Sequence, residues 1–330
     1  MKIKTPVVIR GTGSYAPEDV VTNDFFASYL DTSDEWITQR SGIKRRHRAG
    51  PKESSSTMGA EAARRAIANA GLSPNDIDLI LLATATPDVP IPSTACLMQH
   101  ELGITNVPAL DLSAACAGLI YGLIIGGNMI ASGGHENVLV VGSETLTRYM
   151  DMEDRSTCVL FGDGAGAVVL GRSPDPDRGF LYTHFGADGS LWRMIWVPAG
   201  GSREPTSMRT VNEKLHYIRM MGRDVFKVVV TKMEQLIDEA LAATGLHPDQ
   251  LTLVLPHQSN LRIIESFRRR LDLPADKVAV NIHEYGNTSA ASIGLALDEA
   301  RRTGRVKEGD LVLMVAFGAG VTWGTIVARL

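Results

Sequence analysis

Apolar and polar positions follow two rhythms along this chain, and the same succession of rhythms occurs twice. Residues 64–84 run from an alanine-rich stretch with helical spacing through Ala-Gly-Leu and a Pro-containing polar turn into the apolar run Leu79–Ala83. Residues 237–257 repeat that order, ending in the apolar run Leu251–Leu255. Gly71 and Gly245 mark the corresponding helix ends, 174 positions apart (245 − 71). Val138–Val141 is matched 173 positions later (311 − 138) by Leu311–Met314. Phe161–Gly166 and Phe317–Gly320 are likewise alike, each leading into a strand pattern. Three matches in one order predict an internal duplication. Helical segments alternating with short apolar runs predict sheets covered by helices, an α/β fold. The halves are expected at 1–175 and 176–330, joined through Ser173-Pro174-Asp175-Pro176-Asp177. Residues 198–215, rich in Gly, Ser, Arg and Thr, are expected to form an exposed loop in the second half.

Two similar halves packed about a pseudo-twofold axis bring equivalent positions together at the centre. Cys116 precedes a long apolar helix, and its counterpart by the offset is Ser289 (116 + 173), two residues from Asn287. His257 follows the strand ending near Leu255, and strand ends are where sites form in such sheets. The duplication therefore predicts that Cys116, His257 and Asn287 meet.

Composition narrows the function classes. With 44% apolar and 21% charged residues in 330, the chain has an ordinary globular balance and enough length for two core units. A net charge of -4 gives no global basic field, so nucleic-acid binding is not expected. The first ten residues lack the apolar core of a signal peptide and read as a strand entering a turn. Three cysteines without metal-type spacing fit a reducing cytoplasm better than a disulfide framework. The uncharged run 114–131 approaches the length of a membrane span, but four glycines and Asn128 within it fit a helix buried in a large core.

Cys116 sits in Ser113-Ala114-Ala115-Cys116-Ala117-Gly118, a strand end turning through small residues into a helix. A thiol at a helix N-terminus is expected to ionise below its usual pKa of about 8.5. Cys96 and Cys158, in a predicted helix and a predicted strand, are expected to be buried and inert. His257 is suited to donating to an oxyanion or moving a proton, and Asn287 offers an amide donor. A thiol, an imidazole and a carboxamide serve either thioester chemistry or hydrolysis; a papain-like protease uses the same three types, but its local cysteine sequence is absent. Gly162–Gly166 has the wrong glycine spacing for a dinucleotide loop. Gly318-Ala319-Gly320 allows close backbone approach and an oxyanion-binding N–H. His283-Glu284 lacks a second ligand pair, so no metal is expected. Arg262, Arg268, Arg269 and Arg270 follow His257 on one predicted helix, offset only by Glu265 and Asp272, and suit docking of an acidic or phosphate-bearing partner.

Four segments together resemble the β-ketoacyl-acyl carrier protein synthase III family: Ala114–Gly118, Pro256–Arg262, Gly286–Ala290 and Ala316–Gly324. The likeness runs from about residue 4 to residue 330 and implies a thiolase-like fold, layered αβαβα. It implies an acyltransferase in which Cys116 takes an acyl group from acyl-CoA. The oxyanion would rest on the N–H groups of Cys116 and Gly320. Malonyl-acyl carrier protein would then lose carbon dioxide, with His257 and Asn287 stabilising the enolate, and the product would be a β-ketoacyl-carrier protein starting fatty acid synthesis. The resemblance places CoA on Trp36, Arg40, Arg155 and Asn260, and acyl carrier protein on the arginine cluster. It implies a homodimer whose acyl tunnel is reached by Ile91 of the other subunit, and no cofactor or metal. Ile91 departs from the phenylalanine common at that position. Related enzymes with the same triad make polyketide starter units or join two long acyl chains, and a cysteine thioester hydrolase is the alternative from another class.

Overall fold

The computed structural model describes residues 6–330, apart from the side chain of Arg223; the first residues of the expected opening strand, 1–5, lie outside the described residues. Nine strands make the two main sheets. They are β1 (Val7–Tyr15), β2 (Leu79–Ala83), β3 (Ala109–Leu112), β4 (Asn137–Glu144), β5 (Gly164–Arg172), β6 (Gly179–Ala187), β7 (Leu253–Pro256), β8 (Leu311–Gly318) and β9 (Thr322–Arg329). The helices that matter here are α1 (Asp34–Ser41), α2 (Ser55–Asn69), α3 (Gly118–Ala131), α4 (Gly222–Thr244), α5 (Leu261–Arg270) and α6 (Ser292–Arg302).

The first sheet has the order β1-β5-β4-β2-β3 and the second β7-β8-β9-β6. Pairing is the same in both: β4 is parallel to β2 and antiparallel to β5, as β8 is parallel to β7 and antiparallel to β9. β3 is the extra strand, and its outer edge is free in the described chain. The register of the duplication is a constant 174: β2 begins at Leu79 and β7 at Leu253 (253 − 79), and β4 begins at Asn137 and β8 at Leu311 (311 − 137).

Amphipathicity sorts the helices into layers. On α4 the buried residues Val229, Met233, Leu236, Ile237, Ala240 and Leu241 recur at helical spacing and face the second sheet. On α2, capped by the Ser54–Thr57 box, Met58, Ala62, Ala63, Ala66 and Ile67 do the same for the first. Between the sheets lie α3 and α6, buried from both sides in one core that includes Leu119, Ile120, Leu123, Ile293, Ala296 and Leu297. The result is five layers, αβαβα. The long apolar run is this central helix, 14 residues long, and no helix among the described residues is long and apolar enough to cross a membrane.

Several local expectations change. The region around Cys158 is turn rather than strand, although the thiol is buried. Cys96 lies on a helix as expected but is exposed, because the helix Thr94–Leu102 turns Ala95 and Met98 inward instead. Residues 198–215 are mostly exposed and include a short helix, Met208–Asn212, tied down by Arg209 to Glu204 and Glu213.

Candidate active site

The two halves meet through matching irregularities. Each central helix is preceded by one turn of tighter helix, Ala115–Ala117 before α3 and Ser289–Ala291 before α6. The first residue of each turn is left-handed, Ala115 at φ 46 and Ser289 at φ 47. Such a conformation is strained for a residue with a Cβ and is kept only where the surroundings impose it. Across the pseudo-twofold axis, the end of β8 abuts the Ala115 turn and the end of β4 abuts the Ser289 turn. At Gly318 an added Cβ would lie 2.7 Å from the Cys116 nitrogen and 3.0 Å from the Ala114 oxygen, so only glycine lets the strand pass behind the nucleophile.

Cys116, His257 and Asn287 line a single pocket, with Phe161, Leu146, Ile195, Ile218, Val225, Phe226 and Phe317 among its apolar walls. Among the described residues nothing charged lines it. His257 is positioned by its N–H to the Val315 oxygen (2.8 Å) and by Nδ1 against the Ser292 hydroxyl (2.6 Å). With Nδ1 engaged, Nε2 is the nitrogen available to a ligand. Burial without an anionic partner pushes the imidazole pKa down to about 3, so the ring is neutral at physiological pH. Asn287 is fixed through its backbone, which bonds to Leu160 and Gly162, and through Oδ1, which accepts from the Ser289 N–H at 2.9 Å. That bond orients the amide with Nδ2 as its open donor.

The expected low thiol pKa of Cys116 is not found. Burial pushes the thiol up to about 12, and the nearby Glu144 carboxyl adds to the rise, while the Ser289 side chain opposes it. Loss of water around the sulfur outweighs the helix N-terminus, so the resting group is a thiol.

The remaining candidates fall into three places. Trp36 on α1 lies between two guanidinium groups, Arg40 at 4.6 Å and Arg155 at 4.8 Å from its ring centre. Arg155 is anchored to the Asp31 carbonyl and carboxylate. Asn260 lines the pocket while capping α5 through Arg262 N–H and donating to the Arg40 carbonyl at 3.1 Å, which links pocket and stack. Gly320 lies in a second pocket that shares Ala85, Ala115, Leu146, Ile195, Ile218 and Ala319 with the first and adds Tyr149, Trp192 and Trp196. Ile91 is 87% exposed and lines neither of these two pockets.

The four-arginine cluster is smaller than its sequence suggests. Arg268 is paired with Glu265 at 2.8 Å, and Arg270 reaches Asp238 and Glu234 on α4. The carboxylates of α4 were not visible as neighbours from the sequence. Arg262 and Arg269 remain to face outward, Arg262 over the Phe226 ring at 5.5 Å and Arg269 only 3.9 Å from Glu265.

Three site residues escaped the sequence reading: Ser292 against His257, Ser289 as a wall of the pocket, and Glu144. The one available signal was Glu144, a charge at the end of the strand that carries the apolar run Val138–Val141. No group of three or more His, Cys, Asp or Glu among the described residues could hold a metal ion.

Comparison with known proteins agrees with this geometry. Residues 110–189 match the family model for 3-oxoacyl-[acyl-carrier-protein] synthase III, and residues 241–330 match the model for its C-terminal part. A β-ketoacyl-[acyl-carrier-protein] synthase III of Caldanaerobacter subterraneus subsp. tengcongensis is 50% identical over 97% of both chains. The solved 3-oxoacyl-[acyl-carrier-protein] synthase III of Aquifex aeolicus superposes with a TM-score of 0.91 at 48% identity, covering 98% of this chain and all of that one. The priming β-ketosynthase of the R1128 polyketide pathway superposes with a TM-score of 0.91 at 37% identity, covering 99% and 97%. The duplicated five-layer fold is thus thiolase-like, and with half its residues shared across nearly the full length of a relative, the chain belongs to the 3-oxoacyl-[acyl-carrier-protein] synthase III family.

Proposed function

We propose that this chain starts fatty acid synthesis by condensing a short acyl group from acyl-CoA with malonyl-acyl carrier protein, releasing carbon dioxide. The observation that carries the reading is the convergence of Cys116, a neutral His257 and Asn287 on one apolar pocket. Cys116 accepts the acyl group, its oxyanion resting on the N–H groups of Cys116 and of Ala319, which lines the Cys116 pocket where the expected Gly320 lines only the second. Decarboxylation of the malonyl group then creates an enolate without needing a strong base. His257 through Nε2 and Asn287 through Nδ2 donate to that enolate, which attacks the acyl thioester. An apolar setting strengthens both donors where negative charge develops. A hydrolase would need His257 to activate water, and an imidazole with a pKa near 3 is a poor base.

The CoA nucleotide rests on Trp36 with Arg40 and Arg155, and Asn260 lies along the path to the thiol. Arg262 and Arg269 take the acidic carrier protein at the pocket mouth. Two copies pair through the free edge of β3, where Leu110 is 41% exposed, and this places Ile91 of one subunit at the acyl tunnel of the other. The halves divide at 175/176, the enzyme works in the cytoplasm, and it uses no cofactor.

The test is intact mass after mixing the protein, and its Cys116→Ala variant, with acyl-CoAs from acetyl upward, followed by malonyl-carrier protein. The expected result is an adduct on the wild type alone that is discharged with release of carbon dioxide. Discharge to free acid without malonyl-carrier protein would instead mark a hydrolase.

A further inference from the structure

The condensation uses His257 as a donor through Nε2, which requires the ring's single proton to sit on that nitrogen. A neutral imidazole carries its proton on either nitrogen, and the hydrogen bond made by the other one sets the choice. Here the other nitrogen, Nδ1, meets a side chain outside the triad, the Ser292 hydroxyl, at 2.6 Å.

Both groups are buried, His257 at 4% and Ser292 at 2% exposure, so their hydrogens need partners within the protein. One hydrogen lies between Oγ and Nδ1, and it belongs either to the serine or to the ring. The second neighbour of Oγ separates the two cases. It is the Gln258 N–H at 3.5 Å, a donor. Among the described residues the Ser292 hydroxyl has no acceptor for its hydrogen except Nδ1. If the ring donated, that hydrogen would be stranded in a buried site beside another donor, which is costly. If the hydroxyl donates, every group is matched: Oγ turns its lone pairs to the Gln258 N–H, Nδ1 accepts, and Nε2 keeps the proton. Gln258 is held where it is. Its side chain donates to the Pro256 and Ala279 carbonyls (2.9 and 3.0 Å) and accepts from Asn281 N–H and Ile282 N–H (3.0 and 3.2 Å).

The first half shows what the same position does without a histidine. α3 begins at Gly118 and α6 at Ser292, 174 positions apart (292 − 118). The same offset takes Ala83, the last residue of β2, to His257 (83 + 174). The two positions are neighbours there too, since a Cβ added at Gly118 would lie 2.8 Å from the Ala83 Cβ. The start of the central helix therefore needs no side chain for the fold. A hydroxyl stands at this position in the half that has a histidine for it to face.

We propose that Ser292 sets the tautomer of His257: its hydroxyl donates to Nδ1 and so holds the ring proton on Nε2, the atom that meets the enolate. As the bond between the malonyl carboxylate and its α-carbon breaks, carbon dioxide leaves and the electron pair moves onto the thioester oxygen. Nε2–H holds that oxygen by a hydrogen bond, and no proton changes hands. With the proton on Nδ1, Nε2 would turn a lone pair toward the same oxygen and oppose its charge. Ser292 does not line the pocket; it is a positioning residue that acts through His257. It has this role only within the condensation reading above, since it serves the donor which that reading assigns.

The experiment has two readouts. The first is nitrogen NMR at neutral pH of protein isotopically labelled in its histidines, with His257 assigned as the signals missing from His257→Gln. The wild type should show Nε2 protonated and Nδ1 as a hydrogen-bonded acceptor. Ser292→Ala should shift Nδ1 to the position of an unbonded acceptor or add a signal from Nδ1–H. A wild-type ring protonated at Nδ1, or His257 signals unchanged in Ser292→Ala, would overturn the proposal. The second readout is the ratio of two rates: carbon dioxide release from malonyl-carrier protein, and adduct formation on Cys116 from acyl-CoA. Outright loss of an oxyanion donor costs about 10²–10³ in rate. Ser292→Ala leaves the donor on an unbiased ring, so the ratio should fall by about tenfold, and Ser292→Thr, which keeps a hydroxyl, should restore it. An equal fall in both rates in Ser292→Ala would mean packing alone and overturn the proposal, as would a ratio in folded Ser292→Thr no better than in Ser292→Ala. Absence of carbon dioxide release from the wild type would instead count against the condensation reading, and the spectra would still decide the tautomer. The wild-type spectrum needs no Ser292 variant, so the test stands whichever substitution folds.

Discussion

Gly318→Ala is the sharpest test of how the second half positions the nucleophile of the first. Gly318 lies in regular strand, so the substitution costs contact and not backbone conformation. The new methyl would meet Cys116 N at 2.7 Å, Thr322 Oγ1 at 2.9 Å and Ala114 O at 3.0 Å. Two of these atoms are backbone and cannot rotate away. Ordinary contact begins at 3.4 Å, so the Cys116 nitrogen must retreat by about 0.7 Å (3.4 − 2.7). Thr322 must also loosen its 2.8 Å bond to the Ala114 oxygen. A misplacement near 1 Å in a reacting group costs up to about a hundredfold, so acylation should slow by roughly ten- to a hundredfold. Overpacking should lower stability by about 1–3 kcal/mol. The assay is a mass-resolved time course of acyl adduct on Cys116, with thermal unfolding measured in parallel. Acylation at the wild-type rate in a folded variant would refute the claim that β8 sets the position of the thiol.

Three further outcomes are expected. The folded His257 binds a proton only near pH 3, against 6.5 for the free side chain, so its contribution to stability is complete above 6.5 and lost as pH falls towards 3; at 1.36 kcal/mol per unit the gap of 3.5 (6.5 − 3) is on the order of 5 kcal/mol. Urea unfolding of the wild type should therefore weaken more over this range than that of His257→Gln, and parallel curves would contradict it. Reversing charge at Arg262 and Arg269 should raise the KM for carrier protein about tenfold while sparing acyl transfer from CoA, whereas Arg270→Glu, which breaks pairs to α4, should cost up to about 1 kcal/mol of stability and leave that KM alone; equal effects on KM would remove the distinction. Trp36→Ala should raise the KM for acyl-CoA about tenfold with little change in kcat, in line with about 1–3 kcal/mol for stacking on a base, and an unchanged KM would move the nucleotide elsewhere.

The layered fold was legible because duplication writes the same local pattern twice. Gly71 and Gly245, the two Pro-containing turns and the apolar runs at Leu79 and Leu253 carry it in residues close together in sequence. The meeting of Cys116, His257 and Asn287 followed from the offset. What remained hidden depends on contacts across the halves. Arg270 looks free on its own helix and is paired by carboxylates from α4. The rise in the Cys116 pKa comes from burial by elements distant in sequence and from Glu144, and helix position alone predicted the reverse. Asn287 was legible as an amide donor, but the bond of its Oδ1 to the Ser289 N–H and the pairing of its backbone with the Phe161 segment, which orient that amide, were not.

The constant offset of 174 also says what became of an older symmetry. Two identical halves would have formed two equivalent chambers, one at each turn. In this chain the counterpart of Cys116 is Ala290 (116 + 174), one residue beyond the Ser289 that the offset of 173 picks out, and the counterpart of Gly318, which the Cys116 and Ala114 backbone closes in, is Glu144 (144 + 174). Of the two turns one carries a thiol, and against the other lies the Glu144 carboxyl, 3.4 Å from the Ala290 N–H. A cysteine grafted at position 290 would therefore be a thiol in a niche already occupied. Neither half, expressed alone, is a slower version of the enzyme: the wall of its chamber belongs to the other.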